Sequence, residues 1–139
     1  RPQVNTQAQR AFSTFIINMS TITSSWGGSG TKRITQVRAS HILIKHEGSR
    51  RTASHRDPEG TRIKATTKEQ AIAQLTEIMN ELRGVEKQAL YAAFGEKSKA
   101  ISDCSSGVNG GDLGWFQRGD MQKAFEDATW RLQVGEMSD

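Results

Sequence analysis

One cysteine in 139 residues excludes a disulfide framework. One cysteine and three histidines also cannot supply the paired ligands of a thiolate zinc site, so no metal or other cofactor is expected. No uncharged apolar run reaches the roughly 18 residues that a membrane span needs. Internal repeats are absent, and no acidic residue precedes Glu47. The first 56 residues hold only three aromatics, Phe12, Phe15 and Trp26. The basic-aromatic interleaving of single-strand binders is therefore missing, and nucleic acid is a poor partner. A lone free thiol fits a reducing compartment, which points to cytoplasm and nucleus.

What remains is a composition suited to one globular domain, with 35% hydrophobic and 24% charged residues. Its net charge of +4 is unevenly spread. Residues 1–56 carry nine Lys/Arg against one acid, and residues 57–139 carry ten against fourteen. That split indicates a basic arm or a local anion site on an acidic domain. Residues 1–35 are rich in Ser, Thr, Gly, Asn and Gln. Within them Ala11–Ile22 is mildly apolar but interrupted by Ser13, Thr14, Asn18 and Ser20, and Ser24–Gly30 reads as a linker. This segment reads as a disordered tail, with an organelle-type leader as the alternative. Order is expected from Gln36 onward.

Val37–Lys45 reads as a strand whose alternation puts Val37, Ala39, His41, Leu43 and Lys45 on one face. Taken alone, His41 on that face reads as a core histidine satisfied by a hydrogen bond. A loop with a turn signal at Asp57-Pro58-Glu59-Gly60 follows. Overlapping capping boxes, Thr66-x-x-Glu69 and Thr67-x-x-Gln70, then open a helix with an apolar stripe from Ala71 to Leu82 and a stop at Gly84. A second helix is expected over about Glu86–Lys97, with Leu90, Ala93 and Phe94 inward. A turn holding Cys104 leads to a short strand at Asp112–Gln117. Asp120 is the expected cap of a third helix carrying Met121, Phe125, Ala128 and Leu132. This order of elements indicates an α+β domain.

Five ordered motifs carry a resemblance. They are Gln36-Val37-Arg38-Ala39-Ser40-His41-Ile42-Leu43-Ile44-Lys45-His46, then Ser49-Arg50-Arg51, then Ser102-Asp103-Cys104-Ser105-Ser106. The fourth is Gly111-Asp112-Leu113-Gly114-x-Phe116-x-Arg118-Gly119-x-Met121-Gln122-Lys123-x-Phe125-Glu126, and the last is Gly135-Glu136-Met137-Ser138. Residues 36–139 thus resemble the parvulin family of peptidyl-prolyl cis-trans isomerases, in particular its phosphorylation-specific eukaryotic branch. The resemblance implies a parvulin-like (FKBP-like) α+β fold, a small four-stranded antiparallel sheet surrounded by helices. It implies that His41 and Cys104 face each other beneath the prolyl bond. Leu113, Met121 and Phe125 would line the proline pocket, Gln122 would contact the substrate backbone, and Lys45, Arg50 and Arg51 would hold a phosphate.

The function so implied is isomerisation of phospho-Ser/Thr-Pro bonds in protein substrates by a monomer. The alternative is a module that binds such motifs with little turnover. The sequence departs from the family in three ways. The family's last strands, with a second histidine and a hydroxyl near the catalytic centre, are not found before Asp139. The strand bearing His41 is therefore expected to have an open edge and the chain to be poorly stable. Lys97 and Ser98 replace a buried aliphatic and a small residue, which weakens the second helix. Ala124 replaces a proline, and His55 an aromatic. Trp26 has no partner tryptophan at the spacing of a WW module.

Overall fold

The computed structural model describes residues 13–25 and 32–138. Strand β1 (Thr14–Ser25) and strand β2 (Lys32–Leu43) are antiparallel, with Ile16 opposite His41 and Thr14 opposite Leu43. Helix α1 (Thr61–Lys64), helix α2 (Lys68–Arg83) and helix α3 (Lys87–Ile101) follow. A 3-10 turn (Ser105–Asn109) leads to strand β3 (Asp112–Phe116), and helix α4 (Lys123–Arg131) completes the order. The sheet runs β1-β2-β3, all antiparallel. No helix among the described residues is long and apolar enough to cross a membrane.

The segment expected to be a tail or leader is instead the strand that completes the sheet from residue 14 on. Residues 1–12 and 26–31 of that expectation lie outside the described residues. Two of the polar interruptions that hid β1, Thr14 and Asn18, make tertiary bonds. Thr14 Oγ1 donates to the Ile42 carbonyl at 2.8 Å, and Asn18 Nδ2 donates to the Leu132 carbonyl at 2.9 Å. Between them Phe15, Ile16 and Ile17 are fully buried. By the two-residue period of a strand they serve both faces. Phe15 and Ile17 join Ile42, Ile44, Leu75, Met79 and Phe94 beneath α2 and α3, while Ile16 joins Val37, Ala39, Phe116, Phe125 and Ala128 beneath α4.

The open edge anticipated beside His41 is therefore closed. The outer side of β1 is covered as well: Gly135 N–H donates to Asn18 O at 2.7 Å, and Ser138 N–H donates to Ile16 O at 2.8 Å. Met137 bridges Ile17. The 135–138 segment thus acts as a short fourth ribbon, which matches the four-stranded sheet implied by the resemblance more closely than three named strands suggest.

Several local expectations hold and some shift. Of the two overlapping capping boxes, Thr67 with Gln70 caps α2, while Thr66 is buried and bonds to the Arg62 carbonyl. The helix ends at Gly84 in a right-handed conformation, so glycine's left-handed freedom is not used there. Helix α3 is not weakened at Lys97, whose ammonium reaches out to Glu81 at 2.6 Å. It continues to Ile101, with Ser98 fully buried. Asp120 does not cap α4, which starts after Gln122. The Asp120 carboxylate accepts from Gln117 N–H at 3.0 Å and closes the preceding turn.

Candidate active site

His41 sits near the end of β2 and is held on every side. Its N–H donates to Gly111 O at 3.0 Å, and its carbonyl accepts from Ser98 Oγ at 3.2 Å. Gly111 is required by that approach. Its φ is +84°, and a Cβ there would lie 2.3 Å from His41 O. The ring stands edge-on to Phe125, 5.6 Å between centroids at 86°. Thr14 Oγ1 lies 3.2 Å from its Nδ1. The ring is buried, and Nε2 has no hydrogen-bond partner among the described residues. The reading of His41 as a satisfied core histidine is thus half correct, because one nitrogen is engaged and the other is not.

Cys104 opens the 3-10 turn and is half-buried. Ser106 Oγ donates to its Sγ at 3.1 Å. The thiol is lowered from 9.0 to about 6, chiefly by hydrogen bonding with His41, against burial and with help from Ser106. Since Nε2 makes no bond of ordinary geometry, the His41 contact is a close approach and not a fully formed hydrogen bond. His41 and Ser106 thus draw this thiol toward its ionised form against the effect of burial, which makes it a polarised centre beside the ring.

The neighbouring Asp103 stands in the motif around Cys104, and its role is set by distant partners. It is buried and gathers three segments at one carboxylate. It accepts from Lys45 N–H at 2.8 Å and Ser54 Oγ at 3.0 Å, and it pairs with Arg62. Its own N–H donates to Leu43 O at 2.7 Å. A buried carboxylate needs such partners, and here they tie the end of β2, the 54–62 loop and the Cys104 turn together.

An open groove of about 820 Å³ runs past His41. One end is walled by Leu113, Met121, Gln122 and Phe125, and the other carries Lys45, Arg50, Arg51 and Lys68. Eight of the nine residues singled out in the sequence line it, and Cys104 does not, touching the groove only through His41. Phe125 and Ala128 root the apolar wall in the core, with Leu113 and Met121 packed against them. At the cationic end Lys45 Nζ donates to Ala53 O at 2.6 Å, whereas Arg50 and Arg51 make no ion pair with the described residues. Their turn is fastened behind by His46. The His46 Nδ1 accepts from Gly48 N–H at 3.0 Å, and Ser49 Oγ accepts from His46 N–H at 3.0 Å. Thr14, His46 and Lys68 also line the groove without having been foreseen. None of them stands in a local pattern that would have marked it.

An apolar wall beside His41, whose ring neighbours Cys104, thus shares one groove with guanidinium groups that make no ion pair among the described residues. Residues 28–139 match the PPIC-type PPIase domain, and the chain belongs to that family of peptidyl-prolyl cis-trans isomerases. It is 54% identical over 104 residues to the peptidyl-prolyl cis-trans isomerase Pin1 of Arabidopsis thaliana, covering 75% of this chain and 83% of that protein. It is 47% identical to the isomerase ESS1 of Saccharomyces cerevisiae, covering 75% of this chain and 57% of that one. The solution structure of TbPIN1 superposes with a TM-score of 0.63 at 36% identity, covering 76% of this chain and 85% of that chain. The ESS1 isomerase of Candida albicans gives 0.61 at 35%, covering 82% and 57%.

Proposed function

We propose that this isomerase acts on Xaa–Pro bonds in which Xaa is phosphoserine or phosphothreonine. The observation that carries the reading is the pair Arg50 and Arg51, without an ion pair among the described residues, on the rim of the groove whose other end is apolar. Guanidinium forks suit a dianionic phosphate because they bind it bidentately. A proline ring in the apolar end and a phosphate at the cationic end would fix the intervening peptide across His41.

Rotation about the prolyl bond crosses a barrier of about 18–20 kcal/mol without breaking any bond. The catalyst has only to bind the twisted amide better than either planar form. Leu113, Met121 and Phe125 exclude the water that stabilises the planar resonance form. Gln122 is placed to hold the substrate backbone. His41 and the Cys104 thiolate set the polarity around the rotating carbonyl. We assign Cys104 an electrostatic role, since rotation requires no covalent step. As further parts of this reading, the enzyme works as a monomer in the cytoplasm and nucleus.

The test is a prolyl-isomerisation assay on matched peptides with and without the phosphate. A clear preference for the phosphorylated peptide is expected, and it should fall by about 10-fold to 10²-fold in the Arg50→Ala, Arg51→Ala double variant while basal turnover persists. Equal turnover of both peptides by the unaltered protein would exclude the phosphate reading.

A further inference from the structure

Thr14 lies ahead of residues 28–139, the part that matches the family, yet its hydroxyl touches the His41 ring that lines the groove. That hydroxyl stands 2.8 Å from the Ile42 carbonyl oxygen and 3.2 Å from His41 Nδ1, with all three residues buried. A hydroxyl has one proton to give. A carbonyl can only accept, and its contact is the shorter of the two, so we assign the proton to the Ile42 bond, which leaves a lone pair facing Nδ1. Nδ1 must then carry hydrogen, and in the neutral ring Nε2 must be bare. Nε2 is the ring nitrogen without a partner among the described residues.

A second observation shows how firmly Thr14 is set. Ser13, directly before it, is the only non-glycine residue at positive φ among those described, at 52°. Its carbonyl accepts from Ile44 N–H at 3.0 Å, which clamps the turn onto β2. Strained backbone of this kind persists only where its surroundings hold it.

We propose that Thr14 is a positioning residue that fixes His41 in its Nδ1–H form and keeps Nε2 as the ring's free acceptor. When the ring takes a proton, the same hydroxyl accepts from Nδ1–H, so the imidazolium opposite a Cys104 thiolate is not left with a buried unpaired donor. The inference rests on the reading of His41 and Cys104 as the polar pair at the rotating bond. Its test uses no substrate, so failure of one is visible apart from failure of the other.

The test takes the full chain labelled with nitrogen-15. At a pH where His41 is neutral, the ring nitrogens should show a protonated Nδ1 and a bare Nε2. A protonated Nε2 in the unaltered protein would overturn the proposal, whether or not any variant folds. In Thr14→Val the single tautomer should give way to a mixture. The pH midpoint of Cys104 alkylation should rise by about one unit, as expected from losing a bond to a charged donor. Thr14→Ser, which keeps the hydroxyl, should restore both. A folded Thr14→Val protein with the original tautomer and midpoint would likewise sink the idea.

Discussion

The two ends of the groove are built in opposite ways. At the His41 end every group is fixed by something else: Gly111 and Ser98 hold the backbone, Thr14 and Phe125 hold the ring, and Asp103 holds the turn of Cys104. At the other end Arg50 and Arg51 project from an exposed turn, fastened by bonds of His46 to Gly48 and Ser49 and of Glu47 N–H to Thr66 O. The difference follows from the chemistry each end performs. Stabilising a twisted amide requires dipoles that are already oriented, since reorganisation at the moment of rotation would cancel the gain. Capturing a dianion needs charge within reach, and long flexible side chains supply it.

The sharpest way to break this comparison is to disturb the sheet under the His41 end. Phe15→Ala removes a fully buried ring shared by β1 and the helices above it. It should cost about 3–5 kcal/mol of stability. Urea unfolding would measure it, and a loss under about 1 kcal/mol would show that β1 is not part of the cooperative core.

Next in size is the thiol itself. Cys104→Ala should lower turnover on the order of 10²-fold, the usual effect of deleting one electrostatic element. Cys104→Asp, which keeps a negative centre, should retain more. Identical rates for the two variants would remove the electrostatic account.

At the exposed end, the Arg50→Ala, Arg51→Ala variant should lose about 10-fold to 10²-fold in preference for the phosphorylated peptide, because solvent screens exposed charges. Its melting temperature should hardly change. A large drop in thermal stability would mean that these arginines are structural and that the contrast between the ends is false.

The smallest effect concerns pH. Burial, then the Lys68 charge, lower His46 from its ordinary 6.5. Its bond from Gly48 N–H needs Nδ1 bare. The folded protein therefore takes up this proton less readily than the unfolded chain, so the contribution of His46 is complete above 6.5 and fades as pH falls below it. The Gly48 amide signal followed from pH 8 to 5 should move with a midpoint below that of a free histidine, and His46→Gln should abolish the transition. A midpoint at or above the free value contradicts burial as the cause.

Much of this site was legible because its parts are local. Thr67 and Gln70 announce the start of α2 within four residues, and the stripe from Ala71 to Leu82 repeats with the helical period. The motifs around His41, Cys104 and Met121 are short and ordered along the chain. Asp103 was harder to read. Nothing beside it in sequence reveals that Lys45, Ser54 and Arg62 converge on it from up to 58 residues away.

The clearest division runs through β1. The sequence by itself marked the three longer helices through their apolar period, and its ordered motifs carried the resemblance that implied which side chains would meet a phosphate and a proline ring. It could not say what lies beside β2. Backbone hydrogen bonds are the same for every residue, so a sheet accepts any segment whose apolar side chains fit both faces and whose polar ones find partners. Thr14–Ser25 meets that condition only because Ile42 and Leu132 offer carbonyls to Thr14 and Asn18 from distant parts of the chain. Tertiary contact alone turned a Ser- and Thr-rich segment into the strand that closes the sheet and steadies His41.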